Sequence, residues 1–206
     1  MRGVPGENQT KESECQWRVF CAVELPPDVR ARAASHAAQL REQFPEVRAG
    51  WPRAENLHLT LKFIGEIAEE RVRELSRAAE RAAQTLKPFD LEIESGGAFP
   101  PRGSPRILWL GVKDSAGGLV SLQARLEDEC AATGFQRDER PFHPHLTLAR
   151  LRAPQGARQL AKKHQETGFM AIGFSVKELV VMRSQLGAGG SRYTVISRHS
   201  LRAGKD

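Results

Sequence analysis

One tetrapeptide occurs twice in this chain: His-Leu-Thr-Leu stands at residues 58–61 and again at 145–148. Side chains alternate along a strand, so each copy would set its histidine and threonine on one face and its leucines on the other. If the two halves of the chain pack about a pseudo-twofold axis, His58 with Thr60 and His145 with Thr147 face each other across one cleft. That set of groups suits displacement at phosphorus. One side chain must take a proton from the attacking water and another must give one to the departing oxygen. Imidazole, with an ordinary pKa of about 6.5, holds either state near neutrality. The threonine hydroxyls can donate hydrogen bonds to non-bridging phosphate oxygens as charge shifts onto them. A lone strand histidine is commonly structural, and threonine is simply a good strand former. Repetition of the pair at equivalent places in two halves is what points to a site.

The elements that position these groups can be read along the chain. Residues 1–16 are polar and poor in apolar surface, which predicts a disordered tail, with one domain over 17–206. Strand patterns at 17–25, 57–64, 89–95, 106–112, 145–151, 178–186 and 191–201 alternate with helical patterns at 28–44, 69–86, 117–134 and 156–167. Strand, helix, strand, helix therefore occurs twice, and each tetrapeptide lies on the strand between two helices. Gly65 is expected to end the first of these strands, and the Gly-rich stretch 187–190 to turn a closing hairpin.

Composition narrows the class. A chain of 206 residues can bury a sizeable core without staples, and its three cysteines, Cys15, Cys21 and Cys130, lack C-x-x-C spacing. Neither a disulfide framework nor a zinc site is suggested, and a reducing cytosol fits. No signal-peptide core or bilayer-spanning run is present, so the expectation is a soluble, cytoplasmic monomer with no membrane partner. A net charge of +6 favours a polyanionic partner without naming one.

The segments NLHLTLKFIGE and RPFHPHLTLAR resemble the paired H-x-T-x motifs of the two-histidine phosphoesterase superfamily, and within it the RNA 2',3'-cyclic phosphodiesterases, also called 2'-5' RNA ligase-like proteins. The likeness runs from about Trp17 to Leu201 and includes RVFCAVELP, RILWLGV and SRYTVISRHSL. It implies an α+β, duplicated bilobal fold, with antiparallel sheets lining a central cleft and helices outside. It also implies hydrolysis of a 2',3'-cyclic phosphodiester at an RNA end to a 2'-phosphomonoester, with no metal and no cofactor. Carried over by position, His58 would donate a proton to the departing 3' oxygen and His145 would activate water. The pseudo-symmetry of the motifs does not itself make that assignment.

Several neighbours invite roles. The resemblance suggests that Arg150 reaches the substrate phosphate, yet counting from His145 puts residues 147 and 149 on the cleft face, so Arg150 needs a bulge to turn inward. Phe20 matches a position that can stack on a base, with core packing as its alternative. Trp51 and Trp109 raise the same choice, with burial expected for Trp109. Arg102 and Arg106 could follow a nucleic-acid backbone or simply be a solvated face. His143 makes an H-x-H pair with His145, but Pro144 interrupts the strand and no third ligand is evident, so a supporting role is expected. His36, His164 and His199 show no paired partners in the sequence, and surface or structural roles are expected for them. Rival functions are a phosphodiesterase on small cyclic nucleotides or 2'-5' oligonucleotides, reversible 2'-5' RNA ligation, and a non-catalytic RNA-binding module. The last predicts that the His/Thr pairs are dispensable.

Overall fold

Alternating apolar residues along the expected strands pair them into one antiparallel sheet. The computed structural model of the chain describes residues 15–187 and 190–202. Residues 1–14 of the expected tail and 188–189 of the expected turn lie outside the described residues. The order of elements is β1 (Gln16–Glu24), α1 (Pro27–Gln43), β2 (Ala49–Gly50), β3 (His58–Ala68), α2 (Val72–Ala83), β4 (Phe89–Phe99) and β5 (Ile107–Lys113). Then follow α3 (Gly118–Ala132), β6 (His145–Leu151), α4 (Ala157–Thr167), β7 (Ile172–Val176), β8 (Glu178–Gly187) and β9 (Gly190–Ser200).

Across the sheet the strands run β7-β4-β5-β6-β3-β1-β8-β9, with β2 beside β6. Two four-stranded halves, β3-β1-β8-β9 and β6-β5-β4-β7, are therefore mirrored about the middle. The two expected sheets are joined there by one registered pair, Leu59 with Leu146. Helices exchange between the halves. Helix α1 follows β1 yet packs on β6 and β7, while α3 follows β5 and packs across both β3 and β4. Helices α2 and α4 stay with their own halves, on β8 and β9 and on β4.

All four helices cover the leucine face of the sheet, in one continuous core that includes Leu59, Leu61, Leu146 and Leu148. Each of these leucines is at most 3% exposed, and burial of each contributes roughly 1.5–3 kcal/mol. The leucines of the tetrapeptide thus anchor the strands and leave the histidine and threonine face to the cleft. A smaller apolar cluster of Phe20, Ala22, Val180 and Met182, with Tyr193 and Val195 against it, lies on the cleft side of the first half.

The structure departs from the sequence expectations in a few places. Gln16 already pairs with Ala68, so β1 starts inside the expected tail. Strand β3 runs past Gly65, whose φ of 91° accommodates an irregularity beside Ile64 instead of ending the strand. Strand β7, a short edge strand in which Ile172, Phe174 and Val176 alternate with Gly173 and Ser175, was not anticipated from the sequence. His36 and His164, expected to lack partners, are buried and bonded to each other, with 2.9 Å between Nε2 of His36 and Nδ1 of His164. His164 Nε2 lies 2.9 Å from the Trp109 carbonyl and donates to it, so in the neutral ring its Nδ1 accepts from His36. Burial, and then the nearby His164, hold the pKa of His36 down at about 4. The pair ties α1 and α4 to β5. His199 also has a partner, Ser197 Oγ at 2.9 Å. Sequence spacing cannot show contacts between residues 128 positions apart, which is why these were missed.

Candidate active site

The site is built on the two central strands. Leu59 pairs with Leu146 in an antiparallel register, which sets His58 opposite Thr147 and Thr60 opposite His145. The two histidines then sit on a diagonal, where neighbours typically lie roughly 7–8 Å apart and their Cβ atoms somewhat closer.

Each strand carries a bulge at the last leucine of its tetrapeptide. On β3 the pairing with β1 skips Leu61, and on β6 the pairing with β5 skips Leu148. Two consecutive residues therefore face the core in each strand, Leu61 with Lys62 and Leu148 with Ala149. The alternation resets behind them. Phe63 and Arg150, each five residues after its histidine, turn to the open side. This supplies the bulge that Arg150 required, and Arg150 lines the cleft beside Thr147. The buried Lys62 is satisfied by Glu127 Oε2 at 2.7 Å and the Gln136 carbonyl at 2.8 Å.

Both histidine rings are fixed by the same device. Nδ1 of His58 donates to the carbonyl of Asn56, and Nδ1 of His145 donates to the carbonyl of His143, each across 2.7 Å. With Nδ1 carrying the proton of the neutral ring, Nε2 is the nitrogen available for proton transfer. His58 Nε2 lies 3.0 Å from Thr60 Oγ1 and accepts its hydroxyl when neutral. Burial pushes the pKa of His58 below its usual value. The Asn56 bond and the Glu24 carboxylate oppose that shift, and the charge of Arg150 adds to it.

A cavity of about 730 Å³ opens on this face and is lined by His58, Thr60, Thr147 and Arg150. His145 projects from the same strand face as Thr147 but is not part of that cavity's wall. One end of the cavity is aromatic and holds Phe63, Tyr193 and Arg18, whose guanidinium lies 4.9 Å from the Phe63 ring centre. The other end is cationic and holds Arg53, Arg150 and Arg152 around Trp51. Phe20 does not stand out as a platform for a base: it is 2% exposed, with its ring centre 4.8 Å from that of His58 and 5.1 Å from that of Tyr193. It floors the His58 side of the cleft because Met182 and Tyr193 cover the rest of its ring.

Phe63, 49% exposed, is the more open aromatic ring in the cleft, and sequence reasoning passed over it because strict alternation from His58 turns residue 63 away. The repeat itself held the signal, since Phe63 occupies in one copy the place of Arg150 in the other. Asn56 was also missed. Its carbonyl holds His58, and its Nδ2 donates to the Ser191 carbonyl of β9 at 2.7 Å, tying the histidine to the opposite wall.

Trp109 is half-buried, on the cleft side of β5 opposite Thr147, with Phe99 between it and His145. Arg102 and Arg106 are exposed and outside the cavity wall. His143 supports His145 through its backbone carbonyl. Among the described residues, no three His, Cys, Asp or Glu side chains converge as metal ligands. No described helix is long and apolar enough to cross a membrane.

Comparison with known proteins adds to this geometry. Residues 25–188 match the 2'-5' RNA ligase superfamily. The chain is 33% identical over 178 residues to the RNA 2',3'-cyclic phosphodiesterase of Methanothermobacter thermautotrophicus, covering 86% of this chain and 95% of that one. It is 34% identical over 185 residues to the Escherichia coli RNA 2',3'-cyclic phosphodiesterase, covering 89% and 96%. Among solved structures, a Thermus thermophilus protein superimposes with a TM-score of 0.73 at 29% identity, over 90% of this chain and 98% of that one. Escherichia coli LigT complexed with 3'-AMP does so with a TM-score of 0.70 at 30% identity, over the same shares of the two chains.

Proposed function

This chain belongs to the 2'-5' RNA ligase superfamily, and from that premise we propose that it is an RNA 2',3'-cyclic phosphodiesterase that opens the cyclic phosphate at an RNA end by two-histidine acid/base catalysis. The observation that carries the reading is the matched pair of Nδ1 bonds, which leaves one Nε2 in each half free for proton transfer.

In this reaction the water oxygen attacks phosphorus while His145 Nε2 takes the water proton. The bond from phosphorus to the 3' oxygen breaks as His58 Nε2 gives that oxygen a proton. The products are a 2'-phosphomonoester and a free 3'-hydroxyl. Thr60 and Thr147 donate to the non-bridging oxygens, and the Arg150 guanidinium offsets their charge. The donor must be protonated, although burial lowers the pKa of His58 in the free enzyme. A bound phosphodiester supplies the counter-charge. An anion within about 4–6 Å of imidazole favours its cationic form and offsets Arg150, so substrate binding itself prepares the donor. The cysteines are free, and two of them, Cys21 and Cys130, are buried, which supports a reducing cytoplasm as the place of action.

The test is incubation of the purified protein, in chelator, with a short RNA ending in a 2',3'-cyclic phosphate, followed by mapping of the product phosphate. A 2'-monophosphate is expected. A 3'-monophosphate would reverse the leaving oxygen, and an intact cyclic end would overturn the assignment.

A further inference from the structure

The cationic end of the cavity holds more positive charge than a cyclic phosphate requires. A cyclic phosphodiester carries one negative charge, and Arg150 beside Thr147 matches it. Arg152, two residues on, lines the same cavity, as does Arg53 from the wall between β2 and β3. Among the described residues, neither Arg150 nor Arg152 has a carboxylate within 4.0 Å, and Arg53 has only Glu55 at 4.0 Å, both side chains about two-thirds exposed. Like charges gathered without a counter-charge repel one another, so their convergence points to an anion that arrives with the ligand.

The backbone holds Arg152 in place. Its N–H donates to the Arg48 carbonyl at 2.8 Å, just beyond the pairing of Ala49 with Leu151 and Gly50 with Arg150. Its guanidinium lies across Gly50, where a Cβ would come within 3.3 Å of a terminal nitrogen. Glycine at that position leaves room for the arginine to lie along the cavity wall. Trp51 and Pro52 then carry the chain to Arg53 on the same wall.

Resting on the cyclic phosphodiesterase reading, we propose that Arg152 and Arg53 form a second phosphate subsite, which takes the phosphate on the 5' oxygen of the terminal nucleoside. In an RNA chain that group is the diester linking the last two nucleotides. The preferred substrate is then the end of a chain and not a nucleoside 2',3'-cyclic phosphate. The aromatic end, with Phe63, is left for the terminal base.

A cycle across protein and substrate tests this. Wild-type protein and Arg152→Ala are given adenosine 2',3'-cyclic phosphate, its 5'-phosphorylated form, a dinucleotide with a cyclic phosphate end, and that dinucleotide with an uncharged methylphosphonate linkage. A charged hydrogen bond is lost with either change, so wild-type kcat/KM falls about tenfold or more when the linkage is made neutral. In Arg152→Ala the same change in linkage lowers it less than about threefold, because the partner is already gone. Equal losses from the neutral linkage in both proteins would overturn the subsite. A gain confined to the 5'-phosphorylated mononucleotide would overturn its assignment to an RNA chain. Absence of turnover with every substrate would instead overturn the underlying reading of the enzyme.

Discussion

The two copies of the tetrapeptide share a backbone and differ in their surroundings. In both, the histidine gives its Nδ1 proton to the carbonyl two residues earlier, and a bulge at the second leucine brings the fifth residue after the histidine round to the open side. Beyond that the halves part. His58 lies against Phe20 and Tyr193, with its Nε2 on Thr60, whereas His145 meets the edge of Phe99. The residue after the bulge is Phe63 in one half and Arg150 in the other. Where β3 buries Lys62 against Glu127, β6 buries Ala149. The two halves share what aims the two imidazoles and differ in what surrounds each of them. Under the proposed mechanism, these different surroundings are what would give two identical side chains opposite duties.

Removing either member should break the pair. His58→Ala and His145→Ala are each expected to lower kcat by about 10²–10⁴-fold with the fold intact by circular dichroism, since acid and base each contribute on that scale. A folded single variant at near wild-type rate would remove that histidine from the mechanism. The next effect is on stability. Lys62→Ala makes the first half resemble the second but leaves Glu127 buried without its cation, and should cost about 3–5 kcal/mol in denaturant unfolding. A cost under about 1 kcal/mol would show that the ion pair is not what the halves differ by.

The α+β class, the duplicated order and the placing of both tetrapeptides on strands were legible in the sequence because a strand pattern and an identical repeat are local signals. Arg150 was legible as a condition: it could reach the cleft only past a bulge, and Leu148 supplies one. Phe63 failed the same counting for the same reason, since a bulge is set by pairing with β1 and leaves no mark on the alternation itself. Whether Phe20 stacks or packs could not be read from spacing, because its exposure depends on Met182 and Tyr193, far along the chain. The link from Asn56 to Ser191 spans 135 positions, and no spacing rule reaches that far.

That link gives a smaller test of the comparison, because His145 has no counterpart to it in the observed contacts. Asn56→Ala keeps the backbone carbonyl that holds His58 but frees it from β9, and should lower kcat/KM by up to about tenfold, the scale of one hydrogen bond. An unchanged value would leave the β9 contact as packing alone. The smallest expected change is electrostatic. Arg150 lowers the pKa of His58, so Arg150→Gln should move the His58 titration upward toward its ordinary value, read from the ring proton by NMR in the free enzyme. A downward move, or none, would show that Arg150 does not influence His58.

The division of labour between the two histidines is tested most directly with an RNA end whose cyclic phosphate has sulphur in place of the 3' oxygen. A thiolate leaves without being protonated, so this substrate has no use for an acid but still needs a base. His58→Ala is expected to recover most of its lost rate on the sulphur substrate while His145→Ala stays slow. Recovery by His145→Ala instead, with His58→Ala still slow, would contradict that division.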